Sequence, residues 1–284
     1  MQKEEVFMSK LPVGIQVYGL RDLLENTPDQ FEAVMKSVKE MGYDGVELAG
    51  TYGLEPAYIR DTLAKIGLVP LSAHVPLADM MADIDKVIAD YRIIGVDYLV
   101  VPYLPEEYRH NTPGYPVVIE AMKQIGAGVK AAGMKLLYHN HNFEFVTLEN
   151  GTFGFDDIYT QVPEDLLRVE PDTCWIKVAG QAPAAYVRKY GPRCEVVHLK
   201  DFIKEGNPQN LYKLIGIDTE EVEEDTGFFE FRPVGFGQML WEPILEASLE
   251  AGAKWVVLEQ DEHYDLPPLE AARRGREYLK ILGW

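Results

Sequence analysis

Histidines, carboxylates and a lysine recur in four short groups in the second half of this chain. The groups are Tyr138-His139-Asn140-His141-Asn142-Phe143-Glu144, Glu170-Pro171-Asp172, His198-Leu199-Lys200-Asp201 and Glu259-Gln260-Asp261. Imidazole nitrogens and carboxylate oxygens together bind one divalent metal ion such as Mn²⁺, Mg²⁺, Co²⁺ or Zn²⁺, with coordination positions left for substrate oxygens. A fold that brings the four groups together would therefore form a metal-dependent active site.

Each group follows a short run of β-branched and aromatic residues that is typical of a buried strand. Eight such runs predict strands at 13–18, 45–48, 69–74, 98–102, 135–139, 167–169, 195–199 and 255–259. The segments between them carry apolar residues at helical spacing, which predicts helices at 29–41, 58–66, 81–94, 116–132, 155–161, 182–190, 240–251 and 269–282. The chain thus alternates strand and helix eight times.

Glycines mark where several predicted helices end, at Gly42, Gly67, Gly95, Gly133 and Gly252. Glycine just past a helix adopts the left-handed conformation and makes the connection to the next strand short. The connections at the other ends of the strands are longer and polar. Eight such units predict an α/β fold, a closed (β/α)8 TIM barrel that forms a single domain over 1–284, with its active site at the carboxyl ends of the strands.

An open, doubly wound parallel sheet is the alternative fold. It usually has a glycine-rich phosphate loop after its first strand, whereas Tyr18-Gly19-Leu20-Arg21-Asp22 follows the first strand here. The barrel is therefore favoured. One irregular stretch, at about 203–234, interrupts the pattern after the seventh strand. Its acidic residues are not spaced like a calcium loop, so we expect a solvated acidic loop insertion, with a lid over the site as the weaker alternative. The acidic residues are Asp218, Glu220, Glu221, Glu223, Glu224 and Asp225.

Composition and charge exclude several classes of protein. The 284 residues are 47% hydrophobic and 26% charged, unlike a disordered or fibrous chain. With 27 basic and 46 acidic residues the net charge is −19, which opposes binding to nucleic acid. The sequence has two cysteines and no apolar run of roughly 18 residues, the length that a membrane span needs. We expect a cytoplasmic protein that binds neither nucleic acid nor membranes, with homo-oligomers left open.

Several of these segments resemble one known family. The segments are residues 14–22, 138–145, 172–175, 197–201 and 257–261. In them the chain resembles the xylose-isomerase-like barrels, which include sugar phosphate isomerases and epimerases, inosose dehydratases and the endonuclease-IV group. The resemblance implies a divalent metal ion bound by residues of the fifth to eighth strands.

By this resemblance, Asp172, His198 and Glu259 are three of the metal ligands. The fourth, on the fifth strand, is Glu144 or His139. We favour Glu144, because a second carboxylate neutralises a divalent cation better, with His139 and His141 as its partners.

Other residues of these groups are candidates for catalysis and substrate binding. We expect catalysis by Glu144, Glu259, His141 and His74, and substrate binding by Trp175, Lys200, His139 and Glu47. His74 and Glu47 lie on the third and second predicted strands and match polar positions that recur in the family.

A cation that binds two adjacent oxygens of a keto-sugar makes the neighbouring C–H acidic, so that a carboxylate or imidazole can remove the proton. The resulting enediolate leads to epimerisation, isomerisation or elimination. We expect a metal-dependent sugar isomerase or epimerase, with a lyase or dehydratase of keto-sugars or keto-inositols as the alternative. A phosphodiesterase of the endonuclease-IV kind and a catalytically silent carbohydrate-binding barrel are weaker alternatives. The acidic Gln260-Asp261-Glu262-His263 segment favours an unphosphorylated substrate.

Overall fold

A computed structural model describes residues 10–24, 27–208, 211–215 and 226–284. Eight parallel strands form a barrel, in the order β6-β5-β4-β3-β2-β1-β10-β7. They are β1 Val13–Gln16, β2 Gly45–Ala49, β3 Val69–His74, β4 Tyr98–Val101, β5 Lys135–His139, β6 Arg168–Glu170, β7 Val196–Leu199 and β10 Trp255–Leu258. Strands β8 and β9 form a separate hairpin. The predicted barrel is confirmed, and each of its strands lies where the sequence predicts one.

The barrel closes between β6 and β7 through single backbone bridges. Val169 pairs with Cys194, and Asp172 pairs with His198. The backbone N–H of His198 donates to the carbonyl oxygen of Pro171 at 3.0 Å. Closure excludes the open doubly wound sheet, which leaves two free edges.

Helices surround the barrel and cover its strands. They are α1 Pro28–Glu40, α2 Pro56–Ile66, α3 Leu77–Ala82, α4 Ile84–Ile94, α5 Tyr115–Ala131, α6 Gly154–Gln161, α7 Thr173–Val178, α8 Pro183–Tyr190, α9 Trp241–Ala251 and α10 Pro268–Ile281. Gly67, Gly95 and Gly252 adopt φ angles of 81°, 93° and 75° at the ends of α2, α4 and α9, as predicted.

Two helices differ from the predictions. The helix predicted at 81–94 is two helices, because Asp83 leaves the helical conformation and its side chain accepts the backbone N–H of Lys86 at 3.0 Å. Helix α7 is absent from the predicted elements. It starts directly after Asp172, whose Oδ1 accepts the N–H of Trp175 at 2.9 Å. At six residues it is too short to show a helical repeat.

The segment after β7 forms an antiparallel hairpin of β8 Asp201–Asn207 and β9 Thr226–Arg232. The buried carboxylate of Asp201 accepts the backbone N–H groups of Phe202 and Gly235, each at 2.9 Å, and of Gly237 at 3.1 Å. This carboxylate therefore fixes the base of the hairpin. The six acidic residues of the predicted loop lie outside the described residues, so the acidic insertion stays a prediction. No helix in the described part of the chain has the length and apolar character that crossing a bilayer requires.

A buried carboxylate organises the amino-terminal end of the barrel, opposite the polar groups. Glu195 lies just before β7, and its Oε2 accepts the hydroxyl of Tyr98 at 2.9 Å. The ammonium of Lys135 lies 2.6 Å from the same oxygen. Three strands are thus joined by charged and hydroxyl groups at this end.

We expect Tyr98→Phe to lower the free energy of unfolding by about 1 to 2 kcal/mol, because a hydrogen bond to a charged group is lost while Lys135 still pairs with Glu195. Urea denaturation measures this loss. Affinity for divalent cations should not change, because Tyr98 lies at the far end of the barrel. A variant as stable as the parent chain would contradict this role.

Candidate active site

Four side chains of the predicted groups meet at the carboxyl ends of their strands. They are His139 at the end of β5, Asp172 after β6, His198 in β7 and Glu259 after β10, and all are buried. One donor atom of each lies within 4.8 Å of the others. Nε2 of His139 is 3.6 Å from Oδ2 of Asp172 and 3.9 Å from Oε2 of Glu259. Nδ1 of His198 is 3.0 Å from the same Glu259 oxygen.

These four residues fit a divalent cation. Oδ2 of Asp172 is buried and has no hydrogen-bond partner among the described residues, although an unpaired buried carboxylate oxygen is costly. A cation between the four side chains would pair it. Two imidazole nitrogens and two carboxylate oxygens are donors that suit Mn²⁺, Co²⁺ and Zn²⁺, whereas Mg²⁺ prefers oxygen alone.

The electrostatics of the site also favour a cation. Burial raises the pKa of Asp172 to about 7. Burial also lowers the pKa of His139 well below its usual value, so that a ring nitrogen keeps its lone pair. For His198, burial lowers the pKa, but the charges of Glu170, Glu47 and Glu259 outweigh burial and raise it well above the usual value. Positive charge is therefore strongly stabilised between these carboxylates.

Lys200 follows the same group and is buried. Its ammonium pairs with Asp261 and lies 3.3 Å from Oε2 of Glu259 and 3.8 Å from Oδ2 of Asp172. Three carboxylates thus surround one lysine next to the candidate cation site. Lys200 lies at the rim of the barrel, where the sequence predicts it, and its closest partner is Asp261.

Glu144, the favoured fifth-strand ligand, lies outside this group. One of its oxygens accepts the Tyr138 hydroxyl and the other accepts the backbone N–H of His141 at 2.9 Å. Burial raises the pKa of Glu144 to about 8. The structure therefore brings His139, and not Glu144, to the other predicted ligands.

A cavity of about 540 Å³ opens above the ligands. Of the predicted residues, five line it: His74, His139, His141, Lys200 and Glu259. Tyr18 and Asp261 also line the cavity, and Pro76, Leu77, Pro102 and Tyr103 give it an apolar wall. A volume of this size is ordinary for a small-molecule site.

Two predicted substrate-binding residues do not line the cavity. Trp175 is fully buried behind His141, at 5.3 Å between ring centroids, and stacks on Phe229 at 6.0 Å. Glu47 is fully buried and lies beneath His198 and His74, with Oε1 at 2.8 and 3.0 Å from their Nε2 atoms. The geometry makes Trp175 part of the wall that supports His141.

Two further residues of the site belong to the four polar groups of the sequence, although no role is predicted for either of them. Glu170 approaches three histidines, and Asp261 pairs with Lys200. Both lie two residues from a candidate ligand in the sequence, Glu170 before Asp172 and Asp261 after Glu259.

Comparison with known proteins agrees with this geometry. The family model described as a xylose isomerase-like TIM barrel matches residues 35–282. The chain belongs to this family. The resemblance in the sequence motifs is therefore confirmed.

Relatives of this family member cover nearly its whole length. It is 24% identical to an inosose dehydratase of Clostridium botulinum, over 98% of this chain and 97% of that protein. It is 26% identical to an inosose dehydratase of Serratia proteamaculans, over 99% of this chain and 98% of that protein.

Solved structures share its fold. A sugar phosphate isomerase/epimerase from Parabacteroides distasonis has a TM-score of 0.75 at 20% identity, covering 98% of this chain and 96% of that one. A xylose isomerase-like TIM barrel protein from Mycobacterium smegmatis, in complex with magnesium, has a TM-score of 0.67 at 16% identity, covering 96% of each chain. At these identities the likeness shows the fold alone.

Paired substitutions test which fifth-strand residue binds the cation. His139→Gln should weaken Mn²⁺ binding by more than about 100-fold, because a direct ligand contributes more than the roughly 10- to 100-fold of an outer partner. Glu144→Gln should change the Mn²⁺ affinity by less than about 10-fold, which is less than the loss of an outer partner causes. The reason is that burial raises the pKa of Glu144, so the neutral amide replaces a carboxyl group that is readily protonated. Isothermal titration measures both affinities. Loss of binding in Glu144→Gln alone would identify Glu144 as the ligand.

Proposed function

We propose that this chain is a metal-dependent enzyme that removes the proton next to the carbonyl of a small polyhydroxylated ketone. The convergence of His139, Asp172, His198 and Glu259 beneath a cavity carries the proposal. These four residues would hold the metal ion. When bound, a divalent cation polarises a carbonyl oxygen and makes the adjacent C–H more acidic.

His141 is the residue that we assign to the proton. It lines the cavity and lies outside the two groups of candidate ligands, and its Nδ1 atom is buried without a hydrogen-bond partner among the described residues. Burial, together with the charge of Lys200, lowers the pKa of His141 well below its usual value, so the ring is neutral before the reaction. Stacking on Phe143, at 5.7 Å, and a tilted contact with Trp175, at 5.3 Å, fix the ring.

Lys200 is the residue that we assign to the substrate oxygens. Its ammonium lines the cavity, and Asp261 holds it in place. A fixed ammonium stabilises negative charge that develops on an oxygen when the neighbouring proton leaves. His141 thus acts on the C–H bond, and Lys200 acts on the oxygen of the adjacent carbonyl carbon.

We place dehydration first among the reactions that this step allows. The relatives that cover the chain over almost its full length are inosose dehydratases, and an inosose is a keto-inositol. In dehydration the C–H electron pair forms a C=C bond, the neighbouring C–O bond breaks, and the oxygen leaves as water with a proton. The proton accepted by His141 balances the proton that this water carries away. The sequence favours isomerisation or epimerisation. Both reactions begin with the same proton removal as dehydration and differ from it in the later steps.

Incubation of the Mn²⁺-loaded protein with a keto-inositol in D₂O tests the reaction. We expect a dehydrated product and loss of turnover by at least about 100-fold in His141→Gln, because a positioned base contributes roughly 10²- to 10⁴-fold. Cation affinity in that variant should equal that of the parent chain. Mass spectrometry and NMR identify the product.

Other products would change the assignment. An epimer or an aldose–ketose pair, with deuterium at the carbon next to the carbonyl, would show that reprotonation replaces elimination. Cleavage of an abasic DNA duplex without conversion of any keto-sugar or keto-inositol would contradict the proposal as a whole.

The charges of the cavity favour a substrate without phosphate. Apart from histidines, Lys200 is the one cationic side chain among the described residues that line it, and Asp261 already pairs with that charge. Asp79 and Glu259 add negative charge to the lining. Apart from the charge of a bound metal ion, these side chains would therefore repel a phosphate dianion.

Phosphorylation of a converted keto-sugar should accordingly lower kcat/KM by at least about tenfold, equivalent to about 1.4 kcal/mol. Steady-state kinetics on a sugar and its phosphate ester measures the ratio. A higher kcat/KM for the ester would contradict this interpretation of the cavity charges.

A further inference from the structure

A second layer of polar side chains lies next to the candidate ligands. It consists of Glu47 on β2, His74 on β3 and Glu170 on β6, all buried. His74 joins the two carboxylates, because its Nε2 lies 3.0 Å from Oε1 of Glu47 and 2.9 Å from Oε2 of Glu170. Its ring also stacks on His198, at 5.5 Å and 10° between the ring planes.

Both ligand histidines lie between this layer and the candidate cation site. Nδ1 of His139 is 3.2 Å from Oε2 of Glu170, while its Nε2 is the atom near Asp172 and Glu259. Nε2 of His198 is 2.8 Å from Oε1 of Glu47 and 3.4 Å from Oε2 of Glu170, while its Nδ1 is the atom near Glu259. Each ring thus presents one nitrogen to each side.

The carboxylates of the second layer are themselves held in place. Oε1 of Glu47 accepts the side-chain amide of Gln16 at 2.7 Å, and Oε2 accepts the hydroxyl of Ser72. Oε2 of Glu170 is fixed by His74 and His139 together. Fixed acceptors can select which nitrogen of a neighbouring imidazole carries its proton.

We propose that Glu170 is a positioning residue that sets the tautomer of the candidate ligand His139. A neutral imidazole has one N–H and one lone pair, and the acceptor of its N–H decides which nitrogen binds metal. Glu170 holds the proton of His139 on Nδ1. The lone pair of His139 Nε2 then faces Asp172 and Glu259. His198 is not included, because its Nε2 makes no hydrogen bond to Glu47 or Glu170 although both carboxylates are near. The inference rests on the proposed function only for the identity of the ligands.

Glu47 lies in the same layer but outside this proposal. The sequence predicts substrate binding, but Glu47 is fully buried and does not line the cavity. Its contacts are with Gln16, Ser72, His74 and His198.

Nitrogen-15 NMR of the Zn²⁺-loaded protein reads the tautomers directly. The chain has six histidines, so long-range proton–nitrogen correlations can be assigned with single His→Gln variants. We expect a proton on Nδ1 and none on Nε2 of His139. The opposite tautomer of His139 would overturn the proposal.

A variant of Glu170 is tested against a matched control. Glu170→Gln removes charge from the second layer and should weaken Zn²⁺ binding by about 10- to 100-fold. It should also shift the nitrogen resonances of His139. Glu195→Gln changes another buried barrel glutamate at the far end and should lower stability without either effect.

Further outcomes distinguish this inference from its rivals. The inference would be overturned if the parent chain bound two Zn²⁺ ions and the Glu170→Gln variant bound one. His74, His139, Glu170 and His198 would then be a second metal site. The expected tautomer of His139 in a protein that converts no keto-inositol would contradict the proposed function and support this inference.

Discussion

The backbone pairing of Asp172 with His198 is the contact on which both barrel and site depend. Strand β6 has three residues and joins β7 through isolated bridges, of which this pair is one. The carbonyl of His198 also accepts the hydroxyl of Thr173 at 2.7 Å. Closing the barrel therefore places two candidate ligands side by side, and the other two arrive from the neighbouring strands β5 and β10.

The second constraint is the cost of burying like charges. Five carboxylates lie buried around the candidate site with one lysine among them: Glu47, Glu170, Asp172, Glu259 and Asp261 around Lys200. Buried carboxylates persist only when donors, cations or protons compensate them. His139 therefore does two things here. Its Nε2 faces Asp172 and Glu259, and its Nδ1 makes a hydrogen bond with Glu170 on the other side.

The sequence was sufficient for the strands and for most of the polar residues that meet at their ends, because both depend on local patterns. Strand periodicity and the polar residues that end each strand are short-range signals. Glu144 and Trp175 differ, for different reasons. Glu144 lies past the strand, in a short turn that brings it back to Tyr138 and His141. The surroundings of Trp175 are tertiary, because hairpin residue Phe229 covers it. The break at Asp83 depends on a single capping contact that competes with helix periodicity.

The two oxygens of Asp172 restrict what can occupy that position. Oδ1 starts helix α7 by accepting the N–H of Trp175, and Oδ2 is the unpaired oxygen of the candidate metal site. Asparagine would still begin the helix but would bring no charge to a cation. Glutamate would bring the charge, but its longer side chain is a poor helix start. Aspartate alone meets both demands. When all amino acids are tried at position 172 and active variants are selected, we therefore expect almost every survivor to carry aspartate.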